Sequence, residues 1–331
     1  MTVRRRLGSI LIIAGGMALL AILFFRFGKA TWHAITAINV TGFCLYLIAQ
    51  LLLTSVLAYC WLLLLPKRNG PTQFCLLIWG RALRDAAGEF LPFSYAGGLV
   101  IGARAIALFG IPAADAAAST IVDVMVEAVA EILFIALGLL FLAYTEPETR
   151  LWLGACAVLA AALATIAGFV ALHRSHGAVT FISRILNRLL GPALRRLSLA
   201  KGALNEIRAR RVQIARAAIL HFICAVAGGV VTWFGFHILA APISLFGAIS
   251  FEAVIHALLA LGFFMPARIG VQEAAYLLLG AVYGVPPELA ISLSLFRRAR
   301  NFAISIPILL SWQFLEARRL AILPRKSRAK P

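Results

Sequence analysis

Charge is scarce in this chain: only 13% of its 331 residues are Asp, Glu, Lys or Arg, where soluble domains average about 25%. Acid is scarcer still, with 13 Asp and Glu against 31 Lys and Arg and a formal charge of +18. The five cysteines, Cys44, Cys60, Cys75, Cys156 and Cys224, form no C-x-x-C pair. They read as small packed residues, not as a disulfide framework or a metal site. No P-loop, G-x-S-x-G or H-E-x-x-H is present, which excludes an ATP-driven motor and the recognised hydrolases. His173 and His176 share a basic loop without an accompanying carboxylate motif, and His221, His237 and His256 stand isolated in apolar runs. They read as packed side chains, with a proton relay as the alternative. Neither a metal nor a cofactor is expected.

What the chain has in abundance is apolar sequence, at 62%. That content excludes disorder and predicts an all-α polytopic membrane protein. Leu7–Phe25 runs without a charge behind Arg4-Arg5-Arg6 and is read as a retained first helix, a cleaved signal being the competing reading. Further spans are predicted at Val40–Leu65, Ala116–Tyr144, Leu151–Leu172, Ala217–Ala240 and Leu289–Phe314. Two apolar segments broken by Pro and Gly, 73–109 and 245–284, read as re-entrant hairpins. The expectation is one integral domain over 1–331 with about six full spans and two hairpins, or eight to ten crossings if the hairpins reach across.

The positive-inside rule puts both termini in the cytoplasm. It also places the basic segment 173–214 on that face, where Phe181, Ile182, Ile185, Leu186, Leu189 and Leu190 recur at helical spacing beside Arg184 and Arg188. Such a helix suits an anionic inner leaflet; topogenic charge alone is the other reading. Most of the basic excess then serves orientation and lipid contact, and no nucleic acid is needed.

The two hairpins match at a single ungapped offset. Phe90-Leu91-Pro92 aligns with Phe264-Met265-Pro266, and Gly110-Ile111-Pro112 with Gly284-Val285-Pro286. An odd number of spans between them makes this a candidate inverted repeat, an arrangement that places transporter sites near the midplane. Pro92 and Pro266 break the helices. Gly97, Gly98 and Gly270 follow the breaks and serve either as hinges with fresh helix starts or as small residues for tight packing.

Ionisable residues within spans cost about 2.5–3.5 kcal/mol each and need partners or water. Asp123, Glu127 and Glu131 form an acidic stripe at i, i+4 and i+8, while Arg297, Arg298 and Arg300 lie on the repeat-related helix. Asp123 aligns with Arg297, so a central pairing between the two helices is expected. The stripe is either a structural salt bridge or part of an aqueous cavity, where arginines bind an anionic lipid head and carboxylates, Glu89 included, carry protons. Arg81 and Arg84 are expected to snorkel to an interface, and Arg104 to face protein or water.

Several strings in the second half are more specific: Phe264-Met265-Pro266-Ala267-Arg268-Ile269-Gly270-Val271-Gln272-Glu273, Tyr283-Gly284-Val285-Pro286-Pro287 and Leu295-Phe296-Arg297-Arg298-Ala299-Arg300. With Leu91-Pro92, Gly97-Gly98, Arg104 and Asp123 in the first half, they resemble the lysylphosphatidylglycerol synthase transmembrane region family, also called the flippase-like domain family. The hopanoid-associated branch is the nearest. The resemblance implies a lipid-translocating membrane domain in which Arg104, Glu273, Arg297 and Arg300 line the lipid-head path and Pro92 and Pro266 shape re-entrant tips. Synthases of the family carry a soluble aminoacyl-transferase domain after the membrane region. This chain stops at Pro331, so aminoacylation is not expected. Glu89 beside the Leu-Pro pair departs from the family pattern.

The expected function is therefore movement of a hopanoid or other amphipathic lipid across the bacterial inner membrane without ATP hydrolysis. The substrate-binding set is Arg104, Glu273, Arg297, Arg298 and Arg300. A membrane-embedded head-group transferase and a scaffold for lipid-biosynthetic enzymes are the alternatives. Membrane lipids are the expected partners, with lipid-biosynthetic proteins and a second copy of the chain as further candidates.

Overall fold

The apolar runs fold as helices that are greasy on nearly every side, as hydrocarbon demands when every backbone group must be paired internally. The computed structural model describes residues 40–66, 70–90, 94–145, 204–207, 209–241, 243–261 and 268–322, with the isolated positions 160, 163 and 202. The expected spans at 7–25 and 151–172, Pro92, Pro266 and most of the basic segment lie outside the described residues. The described helices are α1 (Val40–Leu64), α2 (Gly70–Phe90), α3 (Ser94–Leu108), α4 (Ala113–Thr145), α5 (Arg211–Ile238), α6 (Leu245–Leu261), α7 (Val271–Val282) and α8 (Pro287–Ile322). The described residues contain no strand, and the chain is an all-α membrane protein.

Length sorts these helices. At about 1.5 Å per residue, α1, α4, α5 and α8, with 25, 33, 28 and 36 residues, each exceed the ~30 Å hydrocarbon core. The first three are also apolar enough to cross; α8 carries Arg297, Arg298 and Arg300 about a third of the way along. By contrast α3, α6 and α7, with 15, 17 and 12 residues, reach only about 18–25 Å. The α2–α3 and α6–α7 pairs occupy the two segments read as hairpins, and α2, with 21 residues, is itself about as long as the hydrocarbon core.

The helices of 40–145 have counterparts at the offset that carries Gly110 onto Gly284. Leu64 and Leu108 end α1 and α3, as Ile238 and Val282 end α5 and α7, and Ala113 and Pro287 open α4 and α8. The turns before α4 and α8 share one geometry. Gly110 (φ +97°) and Gly284 (φ +65°) take the left-handed conformation that glycine adopts without strain. The carbonyls of Pro112 and Pro286 then accept the amides of Ala116 and Ala290, at 2.9 and 3.0 Å.

Packing between the halves follows the same correspondence. α1 and α5 run antiparallel: Gly42 faces Ile238, Gly235 faces Tyr46, and Arg210 donates to the Leu65 and Pro66 carbonyls at 3.2 and 2.7 Å. α4 packs antiparallel on α6 with Gly138 against Ala253. α8 packs on α2 at the equivalent positions, Trp312 against Trp79. The core fills these seams. Tyr46, Phe236, Phe251, Tyr276 and Phe296 form its aromatic centre, and Trp61, Leu77 and Ile106 a second cluster under the first hairpin.

Candidate functional site

Two buried ion clusters lie on the matching helix pairs α2–α4 and α6–α8, with their signs reversed. In the first, α2 supplies cations. Arg81 and Arg84 point from one face toward Asp123 and Glu127 on α4. Arg84 donates to Asp123 Oδ2 at 2.7 Å and to Glu127 Oε2 at 2.6 Å. Arg81 donates to Glu127 Oε1 at 2.6 Å and to Asp85, one turn on, at 3.0 Å. His221 of α5 approaches the other Asp123 oxygen at 3.0 Å. Asp123 is fully buried. Trp61 covers the Arg84 guanidinium at 5.6 Å, a cation–π contact that adds to its desolvated packing. The arginines expected to snorkel are thus core residues, because the carboxylates that pair them lie inside the bundle.

In the second cluster α6 supplies the anion. Both Glu252 oxygens accept from Arg297 Nη1 at 2.6 Å, and Oε2 also accepts from Thr232 at 2.8 Å. Tyr276 is 3.2 Å from the same guanidinium. His256, one turn beyond Glu252, sits between it at 2.9 Å and Glu131 of α4. The isolated histidine of the sequence therefore joins two carboxylates. The expected pairing of Asp123 with Arg297 does not form. Each finds its partner within its own half, where the hairpin helix α2 or α6 brings a side chain of opposite charge.

The remaining sequence candidates fall into distinct environments. Glu273 caps α7: its Oε2 accepts the Gly270 amide at 2.9 Å, and its Oε1 accepts from Arg298 at 2.7 Å. Both oxygens are engaged. Gly270 itself has φ +81°, so the chain enters α7 through a conformation that favours glycine. Gly97 lies in the first turn of α3. Gly98 is a close-packing residue: a Cβ there would stand 2.5 Å from the Arg84 carbonyl oxygen. Arg104 is 56% exposed and pairs with Glu316 at 2.7 Å, away from both clusters. Arg300 is buried, donates to Tyr46 at 3.3 Å and to the Asn301 side-chain carbonyl at 3.0 Å, and forms no ion pair among the described residues.

Glu89 ends α2 and reaches the second hairpin. Arg268, just before α7, stands 3.6 Å from Glu89 Oε2, and Asn301 of α8 donates to Oε1 at 3.3 Å. Beside them a cavity of about 110 Å³ opens between α1, α2 and α8, lined by Gln50, Thr54, Asp85, Glu89, Asn301 and Ser305. Thr54 is near the middle of α1, so this polar space lies at mid-length of a spanning helix.

Residues 7–308 match the family described as the lysylphosphatidylglycerol synthase TM region. The chain belongs to this family. No curated protein matches it. Membership in the lysylphosphatidylglycerol synthase TM region family makes this a multi-pass, lipid-related membrane protein. The match spans the residues of both clusters. Sequence reasoning missed His221, Glu252 and His256 as cluster members. For two of them the signal was present, since Glu252 and His256 are an i, i+4 polar pair in an otherwise apolar helix.

Proposed function

We propose that the protein moves an amphipathic lipid between leaflets of the bacterial inner membrane without hydrolysing ATP, with a hopanoid or a related polar lipid as cargo. The two halves act as an inverted repeat within a single membrane domain, with both termini in the cytoplasm. The observation that carries this reading is the contact of the two hairpin tips at Glu89 and Arg268 beside a polar cavity at mid-length of α1. Polar, Pro-broken backbone is tolerated at membrane depth only where it is buried in protein or lines a wet path, and a head group crossing the bilayer needs such a path.

Within this reading the clusters divide the work. Arg268, paired with the lining residue Glu89, and Arg300, bonded to the lining residue Asn301, steer head groups together with Glu89. The Asp123–Glu127 and Glu252–Arg297 clusters hold the hairpins against the long helices, and Glu131 with His256 provides a place for a proton to move. Arg297, Arg298 and Glu273 shape the second hairpin, and Arg104 with Glu316 guards the cytoplasmic rim. The basic segment 173–214 holds the anionic inner leaflet and is the surface for lipid-biosynthetic partners or a second copy of the chain. The test is full-length protein in vesicles containing a tail-labelled polar lipid, read by quenching from outside without ATP. The expected result is faster loss of the protected fraction than in protein-free vesicles; an equal rate overturns the proposal.

A further inference from the structure

The cavity between α1, α2 and α8 has a counterpart in the other half, and the two differ. Residues Ala82 and Ser305 line the open cavity. At the repeat offset they correspond to His256 and to Glu131, which meet in a hydrogen-bonded pair between α6 and α4. Large, paired side chains fill one site; an alanine and a serine leave the other open. Its volume of about 110 Å³ is several times the ~10–15 Å³ needed to hold one water.

The polar atoms facing this space have unused capacity. Ser305 is 7% exposed and has no hydrogen-bond partner among the described residues, although a helical serine can turn back onto the carbonyl four residues earlier. The Gln50 side-chain amide likewise has none. Ser305 is buried and Gln50 half-buried; a buried hydroxyl without a partner is destabilising, so an occupant that bonds Ser305 and reaches Gln50 is favoured.

Charge narrows the occupant. Asp85 is already held by Arg81 at 3.0 Å and lies 3.9 Å from Arg84. Glu89 is held by Arg268 at 3.6 Å and by Asn301 at 3.3 Å. A cationic head would have to compete with guanidinium groups already in place. An anionic head would meet two carboxylates first. A hydroxyl donates to carboxylate lone pairs and accepts from Ser305 and Gln50, so a head carrying several hydroxyls and no charge satisfies both kinds of lining atom. Among the lining carboxylates the Asp85 side chain is 44% exposed.

We infer that the cavity bounded by Gln50, Asp85, Glu89 and Ser305 binds the neutral polyhydroxylated head of a lipid. The inference rests on the translocation reading above and names the class of head group it selects.

The test uses the full chain in lipid nanodiscs with three radiolabelled lipids of identical tails: glucosyl-diacylglycerol, phosphatidic acid and a trimethylammonium-headed diacyl lipid. The glucosyl lipid is expected to bind about tenfold or more tighter than either charged one. Ser305→Leu, and independently Ala82→Leu from the facing wall, are expected to weaken it about tenfold, with thermal unfolding identifying which variant remains folded. Equal binding of all three heads, or undiminished binding to a folded filled variant, overturns the inference. Free glucose in large excess is expected to leave the lipid bound; displacement would overturn a lipid-borne ligand. Flipping is then measured with the same lipids. Flipping without head selectivity overturns this inference and leaves translocation standing, whereas selective binding without flipping overturns translocation and leaves the site.

Discussion

Glu89, at the end of α2, and Arg268, just before α7, approach to 3.6 Å. One closes the polar end of α2 and the other the entry to α7, so the contact ties the two helices together. Replacing both with cysteine, in a chain whose exposed Cys44 and Cys75 are serine, is expected to give a cross-link with a short bis-maleimide. Flipping measured before and after cross-linking should fall at least several-fold. Unchanged flipping in cross-linked protein would show that the tips do not separate during transport.

The Asp123 cluster separates support from transport. Asp123→Asn or Arg84→Met removes one partner from a buried ion network and is expected to cost up to about 3–5 kcal/mol, read as a lowered unfolding midpoint in detergent. Replacing Arg81, Arg84, Asp123 and Glu127 together by Met and Leu should recover most of that loss, since apolar packing substitutes well for a buried ion network. If the recovered protein also flips lipid at the original rate, the cluster is structural only.

Glycine positions should rank by what surrounds them. Gly98→Ala pushes a methyl group against backbone atoms of Arg84 and Gly88, at 2.5 and 3.0 Å, and is expected to destabilise by about 1–3 kcal/mol. At Gly110 nothing lies within 4 Å, so alanine there meets only the left-handed backbone penalty, about 1–2 kcal/mol. The Gly98 change should also loosen α3 from α2, seen as faster proteolysis of the hairpin; the Gly110 change should not.

Exposure predicts a second ranking. Arg104→Gln breaks a pair that is more than half exposed on the arginine side and should change stability by less than about 1 kcal/mol. Arg297→Gln strips the guanidinium from buried Glu252 and should cost about 3–5 kcal/mol. Thermal unfolding of the two variants side by side checks the order.

The helix plan was legible because hydrophobic runs and Pro-Gly punctuation are local signals. The repeat offset, visible in Gly110-Ile111-Pro112 and Gly284-Val285-Pro286, extends to α1 and α5, where no shared motif announces it. The ion partners were less legible. Spacing put Asp123 and Glu127 on one face but carried no information on which helix faces them. Arg81 and Arg84 therefore read as interfacial, and Arg297 as the partner of Asp123. The cavity was hidden for a related reason: it depends on two small residues, Ala82 and Ser305, lining one space from helices remote in sequence.

Antiparallel packing of α1 on α5 bears on how the chain is made. α4 ends beside α6 at the face where α5 finishes, whereas α5 begins beside Leu65 at the opposite face. Helices α1 and α5 must consequently be threaded into the bilayer from opposite sides as the ribosome delivers them. Adding or removing a single crossing between them would insert α5 upside down, and it could no longer lie antiparallel against α1 whatever its sequence.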